Sequence, residues 1–215
     1  VNNNNRDKNT INILVNMNNI FIYGDSHAHF GFKNMSCHNF YEPSITMFRV
    51  GRDNKIIKFD NNIHTNQSII VICYGEVDCR CHIKRQIDLG RNEDDIIEAL
   101  VTNYFNAIKN SVVVYKHIIV VGIIPPTKVE NFEILHKGVY PFVGTNEERR
   151  RFTNKINESI RQKCGECGYI YFYPYDKYID TDGYLHYELS DKNVHVGDNS
   201  NIISDLCNLL HIDKV

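Results

Sequence analysis

Three short runs of aliphatic and β-branched residues constrain this chain more than any other feature. They are Ile20–Tyr23, Ser68–Cys73 and His117–Ile123, each closed within two residues by Gly or Pro. Their apolarity is continuous rather than alternating. That pattern suits strands buried on both faces, as in a parallel sheet covered by helices on each side. A fourth run, Tyr169–Tyr173, is more aromatic and reads as a strand nearer an edge. Helical patterns lie between the runs. Asn92 can cap a helix to about Lys109, with Glu93, Asp94 and Asp95 in its first turn and Ile97, Leu100, Val101, Tyr104, Phe105 and Ile108 along one stripe. Thr145 and Glu148 have capping-box spacing for a helix to about Lys163, with Phe152, Ile156 and Ile160 as its seam. A last helix spans Ser200–Leu210. Strands alternating with helices predict an α/β domain, a three-layer α/β/α sandwich around a central, mostly parallel sheet of flavodoxin-like type.

Composition narrows the functions. The 215 residues suffice for one domain with a full core, and no Pro/Gly/Ser linker divides them. The domain is expected to run over 11–215, after an asparagine-rich, flexible leader over 1–10. With 24 basic against 26 acidic residues the net charge is −2, which supplies no basic field for nucleic acid. No apolar run reaches membrane-spanning length, so neither nucleic acid nor membrane is an expected partner. Seven cysteines, an odd number, do not read as a disulfide framework but as reduced thiols. No signal pattern opens the chain, and a cytoplasmic location is the expectation.

In an open parallel sheet, sites form beyond the carboxyl ends of the strands. Gly24-Asp25-Ser26-His27 follows the first run, and Gly75-Glu76-Val77-Asp78-Cys79-Arg80 follows the second. Ser190-Asp191-Lys192-Asn193-Val194-His195 precedes the last helix. A serine after a strand, with a late histidine behind an acid, has the makings of a nucleophilic triad. Ser26 would attack an acyl carbonyl, His195 take its proton, and Asp191 orient the imidazole.

This ordered set, GDSH, then Gly51, then GEVDCR, then SDKNVH, resembles the SGNH/GDSL hydrolase superfamily over about residues 19–211. The resemblance implies Ser26 as nucleophile and Gly51 as an oxyanion-hole glycine. It aligns Gly75-Glu76-Val77-Asp78 with the family's Gly-x-Asn-Asp block and makes His195 the base. It further implies a carbohydrate O-acyl, in particular O-acetyl, ester as substrate, handled without a metal or organic cofactor. Two departures stand out. Val77 replaces the asparagine that donates to the oxyanion, and Asp191 lies four residues before His195 where the family spacing is three. Arg80, His82 and Arg49 are the substitute donors considered, with Arg80 favoured for its fixed fork of N–H groups. Asp25, Glu76, Asp78 and His27 complete the expected substrate-facing set.

Other readings compete. The same serine chemistry serves a sugar O-acyltransferase, and Val77 is compatible with a non-catalytic glycan-binding module. Asp25, His27, His29 and Asp78 could instead form a metallophosphoesterase centre, although no Gly-Asn-His segment completes it. Cys79-x-Cys81 and Cys164-x-x-Cys167 have zinc-like spacing, but the topology puts them at opposite sheet edges. Arg149–Arg151 read as a solvated helix face with partners one turn away. Tyr184 and Tyr187 are candidates for a sugar-stacking wall.

Overall fold

The computed structural model describes residues 17–129 and 140–211, and the expected leader over 1–10 lies outside them. The strands are β1 (Ile20–Gly24), β2 (His38–Tyr41), β3 (Ile69–Cys73), β4 (His117–Val121) and β5 (Ile170–Phe172). They form one sheet in the order β2-β1-β3-β4-β5, parallel throughout. The helices are α1 (Ser26–Phe32), α2 (Met47–Asp53), α3 (Ile83–Asp88), α4 (Glu93–Ser111), α5 (Asn146–Cys167) and α6 (Ser200–Leu210).

The unbroken apolar runs have a simple cause. Phe21, Tyr23, Ile70, Ile72, Ile118 and Val120 point to one face, where they pack against α2, α4 and α5. Ile20, Ile22, Ile69, Val71, Ile119 and Val121 point to the other, against α1 and α6. Successive side chains alternate between faces, so a strand covered on both sides needs an apolar residue at every position. The three-layer sandwich is therefore as expected. β2 is the strand that no apolar run announces. Its His38-Asn39-Phe40-Tyr41 is half-exposed at the sheet edge, where one side needs no burial.

The long helices follow their caps. Asn92 accepts the amides of Asp94 and Asp95, and Thr145 and Glu148 form the reciprocal capping box. The arginine run on α5 departs from expectation. Arg149 is buried, donates to the Gly144 carbonyl and the Asn146 side chain, and lies over the Phe142 ring. Arg150 covers Tyr184, and Arg151 reaches across to Glu93 of α4. Arg149 keeps a partner one turn away on α5, the Asn146 side chain, whereas Arg150 and Arg151 meet groups on neighbouring segments. All seven cysteines are free, and none of the described helices is long and apolar enough to cross a membrane.

Candidate active site

α1 begins where β1 ends. Asp25 caps the helix by accepting the His27 amide at 2.8 Å, and Ser26 is the first helical residue. An amide at that position has no carbonyl one turn back to bond. Ser26 therefore carries both its hydroxyl and its N–H to the carboxyl edge of the sheet.

The partner comes from 169 residues away: His195 Nε2 lies 2.9 Å from Ser26 Oγ. The other ring nitrogen, Nδ1, lies 2.8 Å from Asp191 Oδ2. The second oxygen of Asp191 accepts the amides of Asn193 (2.8 Å) and His195 (3.1 Å), and its own amide donates to the His195 carbonyl. Acid and base thus sit on one tight turn, closed by a Ser190–Val196 bridge. Lys192 holds a left-handed backbone there, with φ +65°. That turn is how an acid four residues before its histidine reaches the ring.

Burial lowers the His195 pKa below its ordinary value, the neighbouring His27 lowers it further, and Asp191 opposes both. Burial would raise Asp191, but the hydrogen bond and charge of His195 hold its carboxyl below the usual range. At neutral pH the arrangement is a neutral imidazole between a hydroxyl and a carboxylate. Ser26 Oγ–H then donates to Nε2, and Nδ1–H donates to Asp191.

Around this chain lies an aromatic surround. Phe30, one turn beyond Ser26 on α1, stacks on His195 with centroids 4.1 Å apart and planes 15° apart. His29 bridges from Phe30 to Tyr41 at the end of β2. His27 sits on the other side, its ring 4.6 Å from that of His195. Its Nδ1 faces Asp25 and its Nε2 the Val194 carbonyl, both at 3.2 Å. Burial alone would push His27 down, yet the Asp25 carboxylate, Glu76 and the Val194 carbonyl turn the net shift upward.

The segment after β3 forms a second charged cluster. Gly75 has φ +127°, a conformation that favours glycine, and a Cβ there would stand 2.7 Å from Ile123 and 2.8 Å from Met47. Glu76 and Arg80 form a buried bidentate pair at 2.7 and 3.0 Å, and Arg80 Nη1 donates to the Tyr140 carbonyl at 2.7 Å. Asp78 accepts the Met47 amide at 2.7 Å and the Phe48 amide at 3.2 Å, so its carboxylate caps α2 from another segment. Burial lifts the Asp78 carboxyl to about 7 against the pull of those amides.

No protein-family model and no curated protein matches this sequence. Solved structures do match. A protein from Streptococcus pneumonia whose name refers to platelet activating factor aligns over 93% of this chain and 86% of its own. The pair share 14% identity at a TM-score of 0.61. A GDSL-like lipase from Bacteroides thetaiotaomicron aligns over 89% of this chain and 85% of its own, at 13% identity and TM-score 0.53. The fold is that of the SGNH/GDSL hydrolases. The C-terminal domain of the Drosophila Oskar protein is similar as well, over 92% of this chain and 90% of its own, at 12% identity and TM-score 0.54. Identities this low speak to the fold alone.

On the SGNH fold, the sequence-derived positions divide into two groups. Ser26, His195 and Asp191 come together, with Asp25 and His27 beside them and Glu76 close enough to act on both histidines. Gly51 does not join them. It lies inside α2, and a Cβ there would stand 2.8 Å from Asn103 of α4, so its missing side chain serves helix packing. The loop after β2 starts level with the end of β1, two residues before Ser26. Glu42 N–H continues the ladder to the Gly24 carbonyl, and Ser44 turns the chain with φ +66°. Because a serine holds that left-handed turn, no glycine in the sequence marked it.

The substitute oxyanion donors have partners of their own. Arg80 directs Nε and Nη2 to Glu76 and Nη1 to Tyr140, Arg49 turns to Asp53, and His82 packs by Tyr140. Val77 is buried and offers no side-chain donor. The metal reading loses Asp78 to the α2 cap and His29 to the Tyr41 contact. No group of three or more ligating side chains forms among the described residues. Tyr184 is buried beneath Lys128 and Arg150, and the ammonium of Lys192 covers Tyr187 at 4.2 Å. The half-exposed rings next to Ser26 are instead those of His29, Phe30 and Tyr41.

Proposed function

We propose that this chain is a serine esterase that cleaves carboxylic esters through Ser26, His195 and Asp191. The observation that carries the reading is the continuous hydrogen-bonded path from Ser26 Oγ through the His195 ring to Asp191. Ser26 Oγ attacks the ester carbonyl as His195 Nε2 takes its proton. Asp191 stabilises the imidazolium without itself becoming protonated. His195 then returns the proton to the departing alkoxide, and a water deprotonated by the same nitrogen releases the acid. The Ser26 amide, at the start of α1, is a donor for the oxyanion, and the amides of Ser44, Ile45 and Thr46, beyond Pro43, are the candidates to add to it.

The substrate we assign is an O-acetyl ester on a carbohydrate. The resemblance to the SGNH superfamily suggests it, and the half-exposed rings of His29 and Tyr41 suit the apolar face of a sugar, Phe30 being held between His195 and the Lys33 ammonium. An acyltransferase would use the same steps with a sugar hydroxyl in place of the water. The buried Val77 favours a second reading, a glycan-binding module without turnover, because loss of one oxyanion donor costs about 10²–10³ in rate.

The test compares the parent with Ser26→Ala in EDTA, on an aryl acetate and on acetylated sugars, with and without acceptor sugars. Turnover that disappears in Ser26→Ala supports the esterase. Acetyl transfer to an added sugar identifies the transferase. EDTA-resistant turnover that survives Ser26→Ala overturns the nucleophile. Sugar binding without turnover, unchanged in Ser26→Ala, supports the binding module. Tyr41→Ala should raise KM for the acetylated sugar several-fold more than for methyl acetate.

A further inference from the structure

A second concavity lies between α2, α3 and α4, and no triad residue lines it. Its volume is about 360 Å³, within the range of small-molecule sites. Two of its wall residues are small. Gly51 lets α2 close against α4, and Ala99 leaves an exposed gap one residue before Leu100. Ile83, Ile96 and Leu100 make a buried apolar floor.

The charged groups around this floor are unequal. Arg91 stands at the rim, and its bonding partner is the neutral Gln86 amide at 2.9 Å. Arg52 shares the single carboxylate of Asp53 with Arg49, at 2.8 and 3.5 Å, so that trio keeps a net positive charge. Asp78 is the one acid in the lining, and both its oxygens already accept the Met47 and Phe48 amides. An apolar floor under a cationic rim is complementary to a ligand with an apolar body and a single anionic end.

We infer that this groove is a binding site for an amphipathic carboxylate, its apolar body on Ile83, Ile96 and Leu100 and its carboxylate at Arg91, with Arg52 adding positive charge toward the other end of the groove. The inference is independent of the proposed esterase activity, since no bond is made or broken here.

The test titrates the full chain with octanoate, and separately with octylammonium, which has the same body and the opposite charge. Binding is followed by calorimetry and by amide chemical shifts. Octanoate should saturate a site whose shifts centre on Ala99 and Leu100, with octylammonium weaker by about tenfold or more. Ala99→Phe, which fills the gap, and Arg91→Glu, which inverts the rim, should each weaken octanoate by about tenfold, and Ser26→Ala should leave it unchanged. Arg91 is exposed, so Arg91→Glu remains informative if Ala99→Phe does not fold. The inference is overturned if octanoate does not saturate, including because the chain's own residues fill the groove. It is equally overturned if both amphiphiles bind alike, if binding survives both substitutions, or if Ser26→Ala abolishes it.

Discussion

Two clusters of charged side chains stand at the same edge of the sheet, one after β1 and one after β3. In the first, Ser26 keeps a partly exposed hydroxyl, and its hydrogen-bond partner among the described residues is a ring nitrogen that can accept its proton. In the second, Arg80 binds Glu76 through two nitrogens and a carbonyl through a third, and Asp78 holds two helix amides. Residue type does not separate them, because acids and bases occur in both. They differ in how far partners already hold the polar groups, since three of the five guanidinium N–H groups of Arg80 and both oxygens of Asp78 are taken. A charged residue near a site is chemically useful only in proportion to its uncommitted hydrogen-bonding capacity.

Removing the nucleophile tests that contrast most strongly. If the first cluster is the reactive one, Ser26→Ala should lower ester turnover by about 10⁴-fold or more, measured with the fold verified by circular dichroism. Glu76→Gln should act on the second cluster through stability. It strands a buried guanidinium, at a cost of ~3–5 kcal/mol in denaturant unfolding, while the turnover of the remaining folded protein changes far less. A larger effect on turnover than on stability would erase the distinction between the clusters.

Smaller effects sharpen it. His27 holds its proton more tightly than a free histidine and sits against His195, whose affinity for protons it lowers. His27→Gln should therefore move the acidic limb of the kcat/KM profile upward, toward the ordinary histidine value, with kcat falling by about tenfold. A limb that moved down or stayed would show that the two rings are uncoupled. The Asp78 carboxyl titrates at about 7 folded, against an ordinary 3.8. The folded state then binds more protons over that interval, so the stability contributed by this group falls as pH rises from about 4 to about 7. Asp78→Asn should flatten that part of the stability–pH curve, read from urea midpoints, and lower stability at pH 5 by ~1–3 kcal/mol, because its Nδ2 cannot accept the second helix amide. An unchanged slope would show that Asp78 is not the group responsible.

Much of this was legible beforehand, for reasons that differ by residue. β1, β3 and β4 announced themselves because burial on two faces forces continuous apolarity. β2 could not, since an exposed edge places no such demand on His38 or Asn39. Ser26, Asp191 and His195 could be named from their order along the chain. The side chains' commitments were hidden. Glu76 and Arg80 stand four apart, the spacing of an ion pair on a helix, yet the favoured reading gave Arg80 to the oxyanion. Gly51 was visible as a glycine, but only the approach of α2 to α4 shows why it is one. Ser44 gave no signal, because a non-glycine residue holds the left-handed turn.

The turn that carries both Asp191 and His195 has a consequence for how such a site is gained or lost. Acid and base are four residues apart and oriented by local backbone bonds. The fold adds contacts from His27 to the Val194 carbonyl, from Thr127 to the Asn193 carbonyl and from Phe30 to the His195 ring. None of these is made by Ser26, so this half of the machinery is expected to persist when the serine is exchanged. One codon in the GDSH segment is enough to turn catalysis off while the rest of the surface stays in place, and one is enough to turn it back on.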